Sequence, residues 1–403
     1  MSEAPALPAF GGYGVELEYM IVDRASLDVR PLADRLLEGT ERVRGAMGWS
    51  NELALHQIEI KNIDPQAALE PLVAAFQAEL AEIDARLAPL GARLMPGGMH
   101  PWMDPRHETA LWAQPAEPYR TYHRIFDCHR HGWANVQSMH LNLPFAGDAQ
   151  FARLHAAVRL ALPLLPALAA SSPYADGHYH GYMDTRMAFY RGHQRRLPAT
   201  MGALIPEPAH SRAGYEAQVL AQMYQEAAVH DPAGVLHHEW LNARAAIPRF
   251  ERSAIEIRVL DVQECVTADL AIAAAVTGLV RRLYDGMTDA AAAFPTAPLA
   301  RILSATMRDA ERARIDDAPY LALLGAPASP CEAGALWRHI LAELEAAGRL
   351  AAPWQAPLRH IQARGPLARR LVAALGTDPP QARLEAVYRE LCECLQQGRM
   401  FGA

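Results

Sequence analysis

Gly14-Val15-Glu16-Leu17-Glu18-Tyr19-Met20-Ile21-Val22-Asp23 alternates side chains with a period of two. Val15, Leu17, Tyr19 and Ile21 fall on one face of an extended strand, and Glu16, Glu18 and Met20 on the other. Glutamate is a disfavoured strand residue. A separation of two residues puts the Glu16 and Glu18 carboxylates on the same face, roughly 7 Å apart. Two such charges repel unless a cation lies between them.

Three further runs repeat the pattern. His56, Ile58 and Ile60 alternate with Gln57, Glu59 and Lys61. Met139, Leu141 and Leu143 alternate with Ser138, His140 and Asn142. Ile255, Ile257 and Val259 alternate with Ala254, Glu256 and Arg258. Strands buried on both faces of a parallel sheet read as continuous apolar runs, so these one-sided strands predict an antiparallel sheet in an α+β fold. Helical patterns lie between them. Asp64-Pro65 reads as an N-cap and first helical position, opening a helix to about Leu87 with Leu69, Leu72, Phe76, Leu80 and Ile83 as its apolar stripe. Residues 149–170, 213–229 and 267–294 also read as helices, and Val266-Thr267-Ala268-Asp269 offers a cap for the last.

The polar faces carry Glu16, Glu18, Glu59, His140, Asn142, Glu256 and Arg258. A single glutamate on a strand is ordinarily a solvated side chain, and Glu16-x-Glu18 alone is a common spacing. Four strands that each offer a ligand-type residue point further, to a hard cation such as Mg²⁺ held by carboxylates and shared with substrate phosphates. A histidine among them would add a ligand or position a phosphate. Arg258 suits a transferring phosphoryl group.

The 403 residues are 51% hydrophobic and 21% charged, ordinary for a globular protein with a sizeable core. A net charge of −7 argues against broad nucleic-acid binding, which needs a basic surface. Five unpatterned cysteines suit a reduced, cytoplasmic compartment. Met1–Phe10 has no signal-peptide pattern, and the apolar run Leu160–Ala170 is too short to cross a membrane. Strand signals vanish after about Thr296. The chain therefore divides into a catalytic part, residues 1–295, and a helical carboxy-terminal extension, residues 296–403, whose apolar helices suit a homodimer.

The motifs, taken in order, resemble the glutamate–cysteine ligase type 2 (carboxylate–amine ligase) family over roughly residues 11–290. The strand Gly14–Asp23 is similar to the family's opening strand. The stretch from Glu52-Leu53 to Gln57-Ile58-Glu59-Ile60 is similar to its second acidic strand. Pro96-Gly97-Gly98-Met99-His100-Pro101 resembles a turn, and Met139-His140-Leu141-Asn142-Leu143-Pro144 the histidine strand. Ala170-Ser171-Ser172-Pro173-Tyr174 and Asp184-Thr185-Arg186 follow. Ile255-Glu256-Ile257-Arg258-Val259, with Asp261 and Gln263, closes the set. The resemblance implies a glutamine-synthetase-like curved antiparallel sheet with flanking helices, and ATP-dependent ligation of an amino-acid carboxylate to an amine through an acyl phosphate. It implies Mg²⁺, or Mn²⁺ in its place, on Glu16, Glu18, Glu59, His140 and Glu256. It further implies nucleotide contacts from His140, Asn142 and Arg258, with Arg258 holding the γ-phosphate and Arg186 gripping a substrate carboxylate. Where relatives often carry a second histidine, this chain has Ser138.

Other residues carry competing readings. Asp184 and Glu52 are candidates for the base that deprotonates the amine. His100 sits in a turn that reads as a plain turn. His123, His129 and His131, around Cys128, fit no common zinc spacing. His237-His238-Glu239 lacks the helical histidine pair of zinc proteases. Arg244 reads either as a ligand contact or as a surface ion pair. The basic run Arg191–Arg196 reads either as a lid for an anionic substrate or as a solvated loop. Two other functions remain open: a phosphotransferase or ligase for a different acid–amine pair on the same fold, and a regulatory ATP- and metal-binding protein without turnover.

Overall fold

The computed structural model describes residues 6–112 and 117–402. Part of the amino-terminal stretch considered above, Met1–Pro5, lies outside the described residues, as do residues 113–116 and Ala403. The strands are β1 (Gly14–Asp23), β2 (Glu41–Arg44), β3 (Met47–Asn51), β4 (Gln57–Asn62), β5 (Ala92–Met95), β6 (Ser138–Pro144), β7 (Tyr174–Ala175), β8 (His178–Tyr179), β9 (Ala246–Arg249) and β10 (Ala254–Asp261). One eight-stranded sheet runs in the order β2-β3-β4-β1-β6-β10-β9, with β5 paired to the far half of β1. Every pairing in it is antiparallel, and a bulge interrupts the β10–β6 ladder between Ile257 and Leu260. β7 and β8 form a separate hairpin.

The predicted apolar face is the core face. Val15, Leu17, Tyr19 and Ile21 are fully buried beside Ile58, Ile60, Met139, Leu141, Ile255 and Ile257. The helices Glu70–Leu87, Gly147–Ala161 and Val266–Asp285 cover them. Each such side chain contributes about 1.5–3 kcal/mol on leaving water, so a shift of β1 by one residue is forbidden: it would turn two glutamates into the core.

The other face is polar only over the first half of β1. Met20 and Val22 are fully buried in a second cluster with Leu371, Tyr388 and Leu391 from the helices Leu367–Leu375 and Gln381–Gln397. The carboxy-terminal helices therefore close one end of the polar face. Glu264, just after β10, is fully buried and receives the Arg370 guanidinium and the Phe401 backbone N–H. The extension also holds a two-residue strand pair, Arg314–Ile315 with Cys331–Glu332, which correct the all-helical expectation.

Two predicted helix starts move. The helix to Leu87 opens at Glu70, because Tyr13 and Gln66 exchange backbone hydrogen bonds and the Asn62 amide donates to the Tyr13 and Asp64 carbonyls. Those bonds tie residues 62–66 to the base of β1 and leave Asp64 no helix to cap. The helix Val266–Asp285 has Cys265 at its N-cap with no side-chain capping bond. The Asp269 carboxylate instead accepts the Gln263 backbone N–H at 2.8 Å. The run from 149 to 170 breaks at its prolines into Gly147–Ala161, a turn Leu162–Leu164 and Pro166–Ala169. The run from 267 to 294 likewise breaks, at Gly286, into Val266–Asp285 and Asp289–Ala292.

His56 and His100 are fully buried. The His56 ring bonds the Ala134 carbonyl at 2.7 Å, and the His100 ring bonds the Leu27 carbonyl at 2.8 Å. Burial pulls both rings down to about 4. In the unfolded chain they titrate near 6.5, so between these values the unfolded state binds more protons and stability falls as pH falls. Urea unfolding between pH 7 and pH 4 is expected to show this loss, at up to about 1.4 kcal/mol per pH unit for each ring. NMR of the folded protein at pH 5.5 is expected to show both imidazoles still neutral.

Candidate active site

The register assembles the polar face row by row. Glu18 lies opposite Glu59, which lies opposite Ser50. Glu16 lies opposite Lys61 on one side and His140 on the other. Asn142 lies opposite Gly14 and Glu256. The period-two pattern of four strands thus brings Glu16, Glu18, Glu59, His140, Asn142 and Glu256 to one surface.

Hydrogen bonds hold this surface tightly. His140 Nδ1 is 3.1 Å from Glu16 Oε2, and its Nε2 is 3.8 Å from Glu18 Oε1. Ser138 donates its backbone N–H to Glu18 at 2.7 Å, and its hydroxyl lies 2.9 Å from His140 Nε2. Lys61 Nζ is 2.9 Å from Glu59 Oε1, which also accepts the Ser50 hydroxyl at 2.6 Å. The Asn142 amide donates to Glu16 Oε1 at 3.2 Å.

Two carboxylate groups have ligand atoms within 4.8 Å of one another: Glu16, Glu59 and His140, and Glu18, Glu52 and Glu59. Burial and then the charges of Glu18 and Glu59 push Glu52 well above the usual carboxylate range. Burial and the Glu16 charge raise Glu59 as well. Burial would raise Glu16 too, but the hydrogen bond and charge of His140, with Lys61 and Arg252, hold it below that range. Burial alone would lower His140; its bond to Glu16 and the charges of Glu18 and Glu256 instead raise it to about 9. Asn142 Oδ1 is buried with no hydrogen-bond donor among the described residues. Crowded oxygens, raised acids and an unmatched acceptor are the donor set that a hard divalent cation fits.

Glu256 stands at the edge of this set. Its two oxygens are taken by Arg258 Nε at 2.7 Å and Arg249 Nη1 at 2.8 Å, and it joins neither carboxylate group. Arg258 Nη1 also donates to the Asn242 carbonyl at 3.2 Å. Arg186 is nearly fully buried: its Nε is bonded to Asp261 and its Nη2 donates to the Arg258 carbonyl at 3.3 Å. Asp261 in turn accepts from the Ser171 backbone and the Ser172 hydroxyl. Gly98 makes room for it, since a Cβ there would lie 2.5 Å from Asp261 Cγ.

Beside the carboxylates lies a cavity of about 280 Å³. Glu18, Glu52, His140, Arg186 and Arg258 line it together with the aromatic residues Tyr119, Tyr122, Trp133, Tyr190 and Trp240. The aromatic wall comes from the helices Glu117–Phe126, His131–Ala134 and Thr185–Tyr190 and the turn Glu239–Leu241. No single periodic segment announces it. Glu52 sits between β3 and β4, off either strand's alternation, and was legible only as a candidate base. Asp184, the other candidate, is fully buried as the N-cap of Thr185–Tyr190, accepting the Met187 N–H, and does not line the cavity.

Other singled-out residues lie elsewhere. His100 accepts the Trp102 and Met103 backbone N–H groups through Nδ1. Arg244 is buried and paired with Glu207 at 2.6 Å, which corrects the surface alternative. Glu239 receives the Phe250 N–H. His123, Asp127 and His129 cluster outside the sheet, though the His123 Nδ1 lone pair already faces the Cys128 N–H.

An antiparallel sheet with carboxylates, histidine and arginine on one face, opening on an aromatic-walled cavity, is the scaffold of an enzyme that manipulates charged groups. The family model described as Glutamate-cysteine ligase family 2 matches residues 13–393. The chain belongs to that family, and it is an enzyme of the ligase kind. Among relatives, an uncharacterized protein of Archaeoglobus fulgidus is 33% identical over 66% of this chain and 73% of its own length. A putative glutamate–cysteine ligase 2 of Bradyrhizobium diazoefficiens is 29% identical over 68% of this chain, the match spanning 59% of that protein. The crystal structure of a Francisella tularensis glutamate–cysteine ligase in complex with AMP superposes with a TM-score of 0.60 at 12% identity, over 97% of this chain and 89% of that one. A bifunctional glutathione synthetase from Pasteurella multocida does so at 0.54 and 14%, over 95% of this chain and 52% of that one. At such identities the likeness is one of fold.

Because burial, and then the charges of Glu18 and Glu59, disfavour an ionised Glu52 in the folded state, that carboxyl costs stability at neutral pH when no cation is present. Glu52→Gln is expected to raise the thermal midpoint of chelator-treated protein by about 2 °C and to shrink the stabilisation gained on adding Mg²⁺ or Mn²⁺. Differential scanning calorimetry with and without the cation reads both. Gly98→Ala is expected to lower stability by about 1–3 kcal/mol, as overpacking does, and to reduce activity with it, because the added methyl displaces Asp261 and frees Arg186.

Proposed function

We propose that this protein is an ATP-dependent carboxylate–amine ligase of glutamate–cysteine ligase type, built on a glutamine-synthetase-like sheet and forming its amide through an acyl phosphate. The observation that carries the reading is the meeting, at one cavity, of Glu18, Glu52 and His140 with Arg258 and Arg186, the first three crowded against Glu16 and Glu59 behind them. The Francisella ligase of the same fold, solved with AMP, supports a nucleotide as one substrate. Residues 1–295 form the catalytic part of this proposal, with residues 296–403 as a helical extension bracing it. Among the described residues no helix is long and apolar enough to cross a membrane, and we place the reaction in the cytoplasm, on small amino-acid substrates.

Glu16, Glu18, Glu59 and His140 would hold Mg²⁺, with Glu256 joining if it releases an arginine. The ion supplies positive charge to the ATP phosphates. Asn142 offers its free carbonyl beside them. Arg258, fixed by Glu256 and the Asn242 carbonyl, presents its guanidinium to the γ-phosphoryl group as the substrate carboxylate attacks in line. The Arg258 guanidinium then faces the oxyanion formed when the amine attacks the acyl phosphate and phosphate leaves. Arg186, held by Asp261, lends its remaining edge to a substrate carboxylate. The aromatic wall excludes water that would hydrolyse the acyl phosphate. Glu52, raised and facing the cavity, is placed to take the amine's proton; buried Asp184 is not.

Incubating the protein with Mg²⁺-ATP, glutamate and each amino acid in turn is expected to give ADP, phosphate and a product heavier by one amide linkage, read by mass spectrometry. Arg258→Ala should lower kcat by about 10²–10³-fold with far-UV circular dichroism unchanged. ATP cleavage without an amide product from any amine would sink the ligase reading.

A further inference from the structure

The basic run Arg191–Arg196 has one buried member, and it carries no charge. Arg191, Arg195 and Arg196 are exposed and none of them lines the catalytic cavity, whereas Gln194 is 3% exposed and does. Turns carry the run directly out of the helix Thr185–Tyr190, and hydrogen bonds pin it in place. The Gln194 carbonyl accepts the Leu197 N–H at 2.8 Å, the His193 carbonyl accepts Trp133 Nε1 at 3.2 Å, and Arg196 Nη1 donates to the Ile125 carbonyl at 2.7 Å. The His193 ring packs edge-on against Trp133, with centroids 4.6 Å apart. The run is therefore a fixed wall of the cavity rather than a solvated loop. Within this wall the Gln194 side chain is unmatched: Oε1 is buried without a donor, and its amide makes no hydrogen bond among the described residues. Buried polar side chains are bonded in the large majority of cases, so an exception at a cavity wall calls for a partner that the cavity brings. The amide and aliphatic hydroxyl beside it are already engaged: Gln57 Nε2 donates to the Val136 carbonyl at 2.6 Å, and the Ser138 hydroxyl to Glu18 at 2.9 Å.

We propose that Gln194 is a specificity residue: its amide carbonyl accepts the α-ammonium group of the acid substrate, and so selects an α-amino diacid over the same diacid without the amino group. This rests on the ligase reading above. An unmatched carbonyl calls for an N–H donor, and the substrate's carboxylates already have Arg186 and Arg258. No protein bond holds the amide, so it is free to turn its oxygen to that donor. Tyr122, Trp133, Tyr190 and Trp240 line the same cavity, and aromatic faces attract a cation. A neutral acceptor also suits an ammonium that must survive the reaction. The attacking amine has to lose a proton, for which Glu52 is placed. An amide is not a base at neutral pH, so Gln194 leaves the α-ammonium protonated and unable to attack the acyl phosphate. Unlike Glu18 and Glu52, it does not compete for the divalent cation.

The test uses the full chain with Mg²⁺-ATP and hydroxylamine, which traps an acyl phosphate as its hydroxamate with release of phosphate. It compares glutamate with glutarate, the same diacid without the α-amino group. Glutamate is expected to be preferred by about tenfold or more in kcat/KM, the size of one hydrogen bond to a charged group. Gln194→Met keeps the length of the side chain, loses the acceptor and should erase most of that preference. Gln194→Glu keeps an acceptor and should retain it. Equal use of the two acids, or a preference untouched in Gln194→Met, overturns the assignment. A binding arm keeps it separate from the ligase reading: calorimetric titration of each acid into protein holding Mg²⁺ and a non-hydrolysable ATP analogue, which needs no turnover. Tighter binding of glutamate than of glutarate, lost in Gln194→Met, supports the assignment even if no hydroxamate forms and the ligase reading fails. Equal binding of the two acids, or binding of neither, overturns it.

Discussion

Mutual repulsion among carboxylates on one face of a sheet is the constraint on which the rest of this structure depends. Glu18 and Glu59 sit opposite each other on adjacent strands, the arrangement that ordinarily destabilises a sheet. The surroundings offset it. Lys61 and Ser50 hold Glu59, His140 and Asn142 hold Glu16, and Ser138 holds Glu18. Arg258 and Arg249 neutralise Glu256. Glu52 has no side-chain hydrogen-bond partner among the described residues, and burial together with the Glu18 and Glu59 charges raises its affinity for its proton. A folded state tolerates this only where the backbone is over-determined.

Over-determination comes from burial on both sides of β1. Its odd residues are locked into the main core, and beyond Glu18 its even residues Met20 and Val22 are locked under the carboxy-terminal helices. The same helices reach the loop after β10 through Arg370, Phe401 and Glu264. That loop follows Asp261, the last residue of β10, which anchors Arg186, which in turn holds the Arg258 backbone. The carboxy-terminal extension is therefore mechanically continuous with Arg186 and Arg258, although none of its described residues lines the cavity beside the carboxylates.

What the sequence revealed follows from which contacts are periodic. The alternation in β1, β4, β6 and β10 was readable because one face is polar, and the antiparallel arrangement followed from it. β5, Ala-Arg-Leu-Met, is buried throughout and shows no alternation. β2 and β3 form a short edge hairpin turning at Gly45, and β9 contains a proline. All four went unseen. On the strands, residues sharing the polar face could be grouped by parity alone. Off the strands, Glu52 and the aromatic wall meet only through tertiary packing of distant helices and turns, which no local pattern encodes. Residue type was legible where partner was not: Arg186 and Arg244 stood out as cations, but their carboxylate partners, buried Asp261 and partly exposed Glu207, are set by the fold.

If these grouped charges serve transfer of the γ-phosphoryl group to a carboxylate, as proposed, oxygen must pass from that carboxylate to phosphate. With glutamate labelled in its side-chain carboxylate with ¹⁸O, and with Mg²⁺-ATP and an accepted amine, each phosphate released is then expected to carry one labelled oxygen, seen by ³¹P NMR or mass spectrometry. Unlabelled phosphate accompanying labelled amide, or release of AMP and pyrophosphate in place of ADP and phosphate, would contradict it.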